Sequence, residues 1–96
     1  MSAMPKYAAR VDANQAQIIS ALRAAGASVL VLGLPVDLLV GYKNVTLLVE
    51  VKNPDSRYGK KGANENQTVF MQTWRGGAVA LVDGPEAALR AIGCIK

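Results

Sequence analysis

Three charged residues lie inside the two most apolar stretches of the chain. Asp37 belongs to the run at residues 36–40, and Glu50 and Lys52 belong to the run at residues 45–52. Burying a charged side chain among Val and Leu costs free energy unless the charge is paired or holds a metal ion. Two carboxylates and an amine grouped in this way could carry out metal-dependent cleavage of a phosphodiester, which is our working hypothesis.

The spacing of these residues predicts that they meet in space. Side chains alternate along a strand, so Glu50 and Lys52 should point to the same face of the sheet. A two-residue hairpin turn at Lys43 and Asn44 would place Asp37 directly opposite Glu50. Opposed residues of an antiparallel pair have Cβ atoms about 4.5–5.5 Å apart, which is close enough for two carboxylates to share one cation.

The expected cation is Mg²⁺, because a divalent ion with oxygen ligands removes the repulsion between two adjacent carboxylates. Mg²⁺ takes one or two carboxylates at about 2.0–2.1 Å, keeps several waters and reaches phosphate oxygens. A metal-bound water would attack the phosphodiester, and Lys52 would stabilise the developing charge or help to position that water. The alternative is an ordinary ion pair between Glu50 and a basic neighbour on a half-exposed strand, since E-x-K triplets are common.

The composition narrows the available chemistry. The 96 residues suffice for one domain with one core, and 51% apolar with 19% charged residues is typical of a globular chain. A formal net charge of +4 is compatible with a polyanionic partner. The chain has no histidine and a single cysteine, Cys94, which excludes Ser-His-Asp and Cys-His chemistry and thiolate zinc sites. Carboxylates, lysine, amides and hydroxyls remain as catalytic groups.

The composition also indicates a cytoplasmic location, which would be the host cytoplasm if the chain is encoded by a phage. One cysteine provides no disulfide framework, so a reducing compartment is the simplest inference. The longest apolar stretch, residues 29–40, is interrupted by Gly33, Pro35 and Asp37 and is too short to span a bilayer. The first residues lack the apolar core of a signal peptide. We therefore expect no membrane partner.

Hydrophobic periodicity and the positions of Gly and Pro predict the element order α-β-β-β-α-β-α. The predicted helices cover residues 13–25, 65–75 and 85–92, and the predicted strands cover residues 28–32, 36–40, 45–52 and 78–82. The first three strands should form an antiparallel meander, and the last strand should lie in the interior of the sheet. A single domain at residues 12–96 should follow a flexible N-terminal arm at residues 1–11.

The segment at residues 53–64 is predicted to be a mobile basic loop. Its cations Arg57, Lys60 and Lys61 could hold DNA phosphates by ordering on binding. The alternative is an ordinary solvated loop.

Two further groups of side chains allow a structural or a functional interpretation. Gln15 begins the apolar face of the first helix and could point into the site, or it could complete a capping box with Asp12. Val69, Phe70 and Trp74 have helical spacing and are predicted to form a buried stripe rather than a platform for stacking bases.

Taken together, the sequence resembles the virus-type replication-repair nuclease (VRR-NUC) group, found in phage and bacterial proteins, within the PD-(D/E)xK nuclease superfamily. The resemblance covers roughly residues 12–93 and rests on three elements, which are Pro35-Val36-Asp37 in place of the family's P-D-(L/V), Glu50-Val51-Lys52 as the E-x-K, and Gln67 on the following helix. It implies an α/β, restriction-endonuclease-like fold with a mixed central sheet flanked by helices.

The resemblance also implies a role for each matching residue. Asp37, Glu50 and the Val51 carbonyl would bind Mg²⁺ or Mn²⁺, Lys52 would be the catalytic base or charge stabiliser, and Gln67 would contact water or phosphate. Where the family usually has Glu on its first helix, this chain has Gln15. The substitution removes a potential ligand for a second metal, so we expect chemistry with one metal ion.

The implied function is that of a Mg²⁺- or Mn²⁺-dependent endonuclease that hydrolyses phosphodiester bonds of DNA. The stand-alone members of the family look like Holliday-junction resolvases, which implies a homodimer acting on branched DNA, either four-way or flapped. The alternatives are a nucleic-acid-binding module without catalysis and a subunit of a larger DNA-processing complex.

Overall fold

The computed structural model describes residues 13–52 and 65–96. The predicted arm at residues 1–11 and the predicted basic loop at residues 53–64 lie outside the described residues. The proposed phosphate contacts Arg57, Lys60 and Lys61 therefore remain predictions from the sequence.

The described residues form a compact α/β fold with a four-stranded mixed sheet and three helices. In chain order the elements are α1 (Ala13–Ala24), β1 (Ser28–Val31), β2 (Leu38–Tyr42), β3 (Val45–Val51), α2 (Glu65–Thr73), β4 (Ala80–Val82) and α3 (Pro85–Ala91). The sheet order is β1-β2-β3-β4, with β1, β2 and β3 antiparallel and β4 parallel to β3. The predicted meander is confirmed. Within this part of the chain every helix is too short or too polar to cross a membrane.

The β2–β3 hairpin turns at the two predicted residues. Lys43 and Asn44 have φ values of 49° and 68°, the positive values that a two-residue turn of type I′ requires. The first pair after the turn joins Tyr42 to Val45, and the register continues to Leu38 opposite Val49. Continued by one residue, the same register places Asp37 level with Glu50.

The predicted bounds of β2 are wrong, because the strand covers Leu38–Tyr42 rather than residues 36–40. The tight turn begins only at Lys43, so the strand extends through Gly41 and Tyr42. At its other end, the Asp37 carbonyl bonds the main chain of Leu32 and Gly33, whereas the Asp37 N–H bonds the Glu50 side chain. The other elements differ from prediction by one or two residues at their ends, as is usual for element boundaries.

The hydrophobic core lies between one face of the sheet and the helices α1 and α3. Its members are Ile18, Ile19 and Leu22 from α1, Ala27 after it, Leu38, Val40, Val49 and Val82 from the sheet, and Ala88 from α3. Burying one such large aliphatic side chain stabilises the fold by about 1.5–3 kcal/mol. Gly26 was correctly predicted to stop α1, since it adopts a φ of 98° and lets the Ala27 N–H bond the Leu22 carbonyl at 3.0 Å.

The opposite face of the sheet, which we call the outer face, is only partly covered. Leu30 on β1 and Leu81 on β4 are 57% and 56% exposed. The prediction that the last strand lies in the interior is wrong for the described sheet, because β4 pairs only with β3 there and forms its edge. An apolar run of three residues identifies a strand but does not reveal how many neighbours it has.

The predicted buried stripe on the second helix is also wrong. Val69 is 52% exposed and Trp74 is 46% exposed, whereas Phe70 is half-buried. The rings of Phe70 and Trp74 pack against each other with centroids 5.2 Å apart. The buried position belongs instead to Gln67, at 9% exposure. Helical spacing groups residues on a face, but it does not say whether another element covers that face.

Candidate metal centre

Asp37 is held by the loop that joins β1 to β2. Its carbonyl accepts hydrogen bonds from the main-chain N–H groups of Leu32 at 2.8 Å and Gly33 at 3.3 Å. Gly33 has a φ of 84°, a conformation that a residue with a side chain rarely adopts. Val36 is fully buried beside it and anchors the loop. The loop therefore fixes Asp37 at the entry to β2.

Asp37 and Glu50 are joined by reciprocal hydrogen bonds. The Asp37 N–H donates to Glu50 Oε1 at 3.2 Å, and the Val51 N–H donates to Asp37 Oδ2 at 2.8 Å. The two carboxyl groups are also hydrogen-bonded to each other. The predicted pairing of Asp37 with Glu50 across the hairpin is thus present in the structure, through side chains rather than through the strand ladder.

The environment of Glu50 disfavours its charged form. The residue is only 4% exposed. Burial, the nearby Asp37 carboxylate and the hydrogen bond between the two carboxyls together raise the pKa of Glu50 from 4.5 to about 7, against the opposing effects of Lys52 and the Asp37 N–H. Below about pH 7 the pair therefore holds one proton, which a cation bound at the same place would displace.

Lys52 lies beside this pair on the same side of β3. Its Nζ is 3.9 Å from Glu50 Oε2, and its side chain is 29% exposed. Its main-chain N–H donates to the Val82 carbonyl at 2.7 Å, which ties the end of β3 to β4. The ammonium group is therefore positioned on a fixed backbone, close to the carboxylates and open enough to meet a bound anion.

Asn14 is a residue of this region that no sequence pattern singles out. Its Nδ2 donates to the Lys52 carbonyl at 3.4 Å and to the Asp83 carbonyl at 3.2 Å. One amide thus joins the start of α1 to the ends of both β3 and β4. Asparagine has a poor helix propensity, so its place in a first helical turn is a weak signal of another role. Its partners, 38 and 69 residues away, leave no local pattern.

The two predicted glutamines are both buried. Gln15, next to Asn14 at the start of α1, is 7% exposed, and Gln67 on α2 is 9% exposed. Among the described residues no buried side-chain nitrogen or oxygen lacks a hydrogen-bond partner, so both amides are satisfied within the fold. The alternative interpretation of Gln15 as part of a capping box depends on Asp12, which lies outside the described residues. Asp37, Glu50, Val51 and Lys52 are brought together directly.

The donor groups fit a hard divalent cation. Within residues 13–52 and 65–96 no cluster of three or more His, Cys, Asp or Glu side chains could hold a metal, so the carboxylate ligands here would be Asp37 and Glu50 alone. A residue in a strand directs its N–H and C=O to the same side. Because the Val51 N–H reaches Asp37, the Val51 carbonyl faces the same side and would be the third oxygen ligand. Such a set, completed by waters, suits Mg²⁺ or Mn²⁺ rather than Zn²⁺.

Comparisons with known proteins provide no relative from which to transfer a function. No model of a known protein family matches the chain, and neither the curated proteins nor the solved structures contain a match. The case for a function therefore depends on the site itself.

Proposed function

We propose that this protein is a metal-dependent deoxyribonuclease of the VRR-NUC type that hydrolyses phosphodiester bonds. The observation that supports this most strongly is the buried carboxyl pair of Asp37 and Glu50 with the Lys52 ammonium 3.9 Å from Glu50. A structural ion pair would need one carboxylate and one amine. A second buried carboxylate destabilises the metal-free protein, because the two negative charges repel each other. Binding of a divalent cation removes this repulsion and explains why both carboxylates are present.

In this proposal Asp37, Glu50 and the Val51 carbonyl hold one Mg²⁺ or Mn²⁺ ion. The ion would supply the charge that activates a water molecule and neutralises the scissile phosphate. Lys52 places its ammonium group next to the phosphate and stabilises the negative charge that develops during attack. The Asn14 amide keeps the end of β3, and with it Lys52, in place. Gln67 is proposed as an amide that contacts water or phosphate.

A single metal ion is the simplest mechanism for this set of residues. Gln15 carries an amide where a further carboxylate would be needed for a second ion. An amide oxygen can still orient a water but does not neutralise a second divalent charge. The part of the chain that the structure describes offers no third carboxylate at the site.

The proposed substrate is branched DNA, flapped or four-way, bound by a homodimer. The net charge of +4 is compatible with DNA. Leu30 is 57% exposed on β1, which forms the edge of the described sheet away from β4. An exposed apolar edge of this kind supports contact with a second copy of the chain.

The direct test is a cleavage assay on linear, flapped and four-way DNA with and without Mn²⁺. Wild-type protein should cleave only with the divalent ion, Glu50→Gln should abolish cleavage, and Lys52→Ala should lower it by about 10²–10³-fold. Lys43→Ala is the matched control, because Lys43 is an exposed lysine at the far end of the same hairpin. Full activity in both site variants would overturn the proposal. Binding that is indifferent to chelator, with no cleavage under any ion, would favour the non-catalytic module.

A further inference from the structure

A second concave feature lies at the start of β3, next to the carboxyl pair along that strand. It is a cavity of about 480 Å³, which we call the Trp74 cavity, and its walls include Leu39, Thr46, Leu48, Trp74, Gly77 and Ala78. Its volume lies in the range of about 300–1,000 Å³ that is usual for small-ligand sites. The exposed aromatic ring makes it different from the rest of the outer face.

The Trp74 cavity is adjacent to the proposed catalytic site along β3. Leu48 in its wall and Glu50 are two residues apart on β3, so their side chains lie on the same face about 7 Å apart along the strand. Gln67 lies on α2, and Trp74 follows it by about two helical turns, directly after the last residue of that helix. The same strand and the same segment of chain therefore carry residues of both features.

The indole of Trp74 is held in place by its neighbours while nearly half of the residue remains exposed. Phe70 contacts it in a tilted arrangement, with ring planes 32° apart and centroids 5.2 Å apart. Gly76 lies so close that an added Cβ would meet the indole at 2.6–2.9 Å. The ring is thus fixed between Phe70 and a glycine that no larger residue can replace without displacing it. Little rotamer freedom remains to be lost when a ligand binds.

We propose that the Trp74 cavity binds an unpaired nucleobase adjacent to the scissile phosphate, an inference that rests on the proposed nuclease function. A base is a planar ring with polar edges. Trp74 and the leucines offer apolar contact for its face, and the Thr46 hydroxyl offers a hydrogen-bonding group for its edge. Arg75, exposed next to Trp74, adds a cation for the adjoining backbone phosphate.

The position of the cavity favours a nucleobase over a second copy of this chain. A copy seated there would cover the face of β3 that carries Glu50 and Lys52, and it would close the site to DNA. A base in a continuous duplex is stacked and paired, so it must first be extruded, whereas a base at a flap or junction is already free. The Trp74 cavity would therefore make the enzyme prefer branched or single-stranded substrates.

The test uses the fluorescence of Trp74, which is the single tryptophan of the chain. The full-length protein in EDTA, where it does not cleave, is titrated with a duplex carrying a three-nucleotide flap, the same duplex fully paired, and the single strand alone. The flap and the single strand should quench the emission saturably, and the paired duplex should not. Equal quenching by the paired duplex would overturn the proposal. Emission that changes with protein concentration without DNA would overturn it in favour of a second copy.

Variants separate stacking from general DNA binding, measured by anisotropy of labelled oligonucleotides. Trp74→Ala should weaken flap binding roughly tenfold or more while leaving paired-duplex binding unchanged, and Trp74→Phe should retain most of the flap affinity. Val69→Ala is the control, because Val69 is 52% exposed on the nearby helix α2 but does not line the cavity. Unchanged flap binding by a folded Trp74→Ala variant would overturn the proposal. These measurements do not depend on cleavage. Flap-specific quenching by a protein that fails to cleave would therefore overturn the proposed nuclease function and still support base binding in the Trp74 cavity.

Discussion

Replacing Glu50 by Gln should stabilise the metal-free protein at alkaline pH and abolish its response to Mg²⁺. The glutamine has the shape of a protonated glutamate. Its oxygen can still accept the Asp37 N–H bond that Glu50 Oε1 accepts at 3.2 Å. Its amide N–H can donate to the Asp37 carboxylate, where the shared proton lies in the wild type. The substitution therefore removes the buried charge and keeps the hydrogen bonds.

The magnitude follows from the pKa of Glu50, which is 4.5 in the unfolded chain and about 7 in the fold. Between these two values the folded protein keeps a proton that the unfolded chain has released, so the free energy of unfolding falls as the pH rises. At 1.36 kcal/mol for each pH unit, the loss across this window is on the order of 3 kcal/mol. The glutamine of the variant has no such proton to lose. The Glu50→Gln protein should therefore match the wild type below pH 4.5 and exceed it by a similar amount at pH 8.

The assay is urea unfolding at pH 5 and pH 8 in EDTA, comparing wild type, Glu50→Gln and the control Glu86→Gln. Glu86 has a side chain that is 75% exposed and pairs with Arg90, so its substitution should change stability by no more than about 0.5 kcal/mol. Mg²⁺ at 100 times its Kd should then stabilise the wild type and the control by about 2.7 kcal/mol and leave Glu50→Gln unchanged.

Two results would refute this reasoning. If the difference in unfolding free energy between wild type and Glu50→Gln is the same at pH 5 and pH 8, Glu50 does not retain its proton in the fold. If Glu50→Gln responds to Mg²⁺ as the wild type does, the carboxyl pair is not the ion site, and the proposed nuclease loses its main support.

Three further predictions test other parts of the site. Lys52→Ala should lower Mn²⁺-dependent cleavage by about 10²–10³-fold and keep the stabilisation by Mg²⁺, and a parallel loss in Lys43→Ala would contradict this. Asn14→Ala removes two hydrogen bonds and should lower the free energy of unfolding in urea by about 1–3 kcal/mol. It should also lower kcat at unchanged KM. The control Gln17→Ala, on the exposed side of the same helix, should change neither stability nor kcat. Leu30→Lys should convert a dimer to a monomer in light scattering at micromolar concentration, and a wild-type monomer would remove the dimer from the proposal.

The hairpin could be predicted from the sequence because its determinants are local. A two-residue turn fixes which residues face each other across two strands, and alternation then fixes their faces. The observed φ values at Lys43 and Asn44 and the pairing of Leu38 with Val49 agree with this reasoning. The juxtaposition of Asp37 and Glu50 followed from the same two rules.

The surroundings of the hairpin could not be predicted in the same way. The Asn14 amide reaches carbonyls 38 and 69 residues away, and no periodicity records such a contact. The exposure of Trp74 depends on which elements cover the outer face of the sheet. A single sequence gives the apolar spacing of a helix but not its partner, so the prediction of a buried stripe failed there.

β2 begins at Leu38, two residues later than predicted, and this late start explains how the site is built. If the ladder had continued to Val36, as the apolar run at residues 36–40 suggests, Val36 would have paired with Val51 and used the Val51 N–H in the main-chain ladder. Instead the Asp37 carbonyl accepts from Leu32 and Gly33, and the Asp37 N–H binds the Glu50 carboxyl group. The Val51 N–H is likewise left to bind the Asp37 side chain. Starting β2 at Leu38 rather than at Val36 thus supplies two main-chain donors to a pair of carboxyl groups, and these donors hold the pair together before any metal binds.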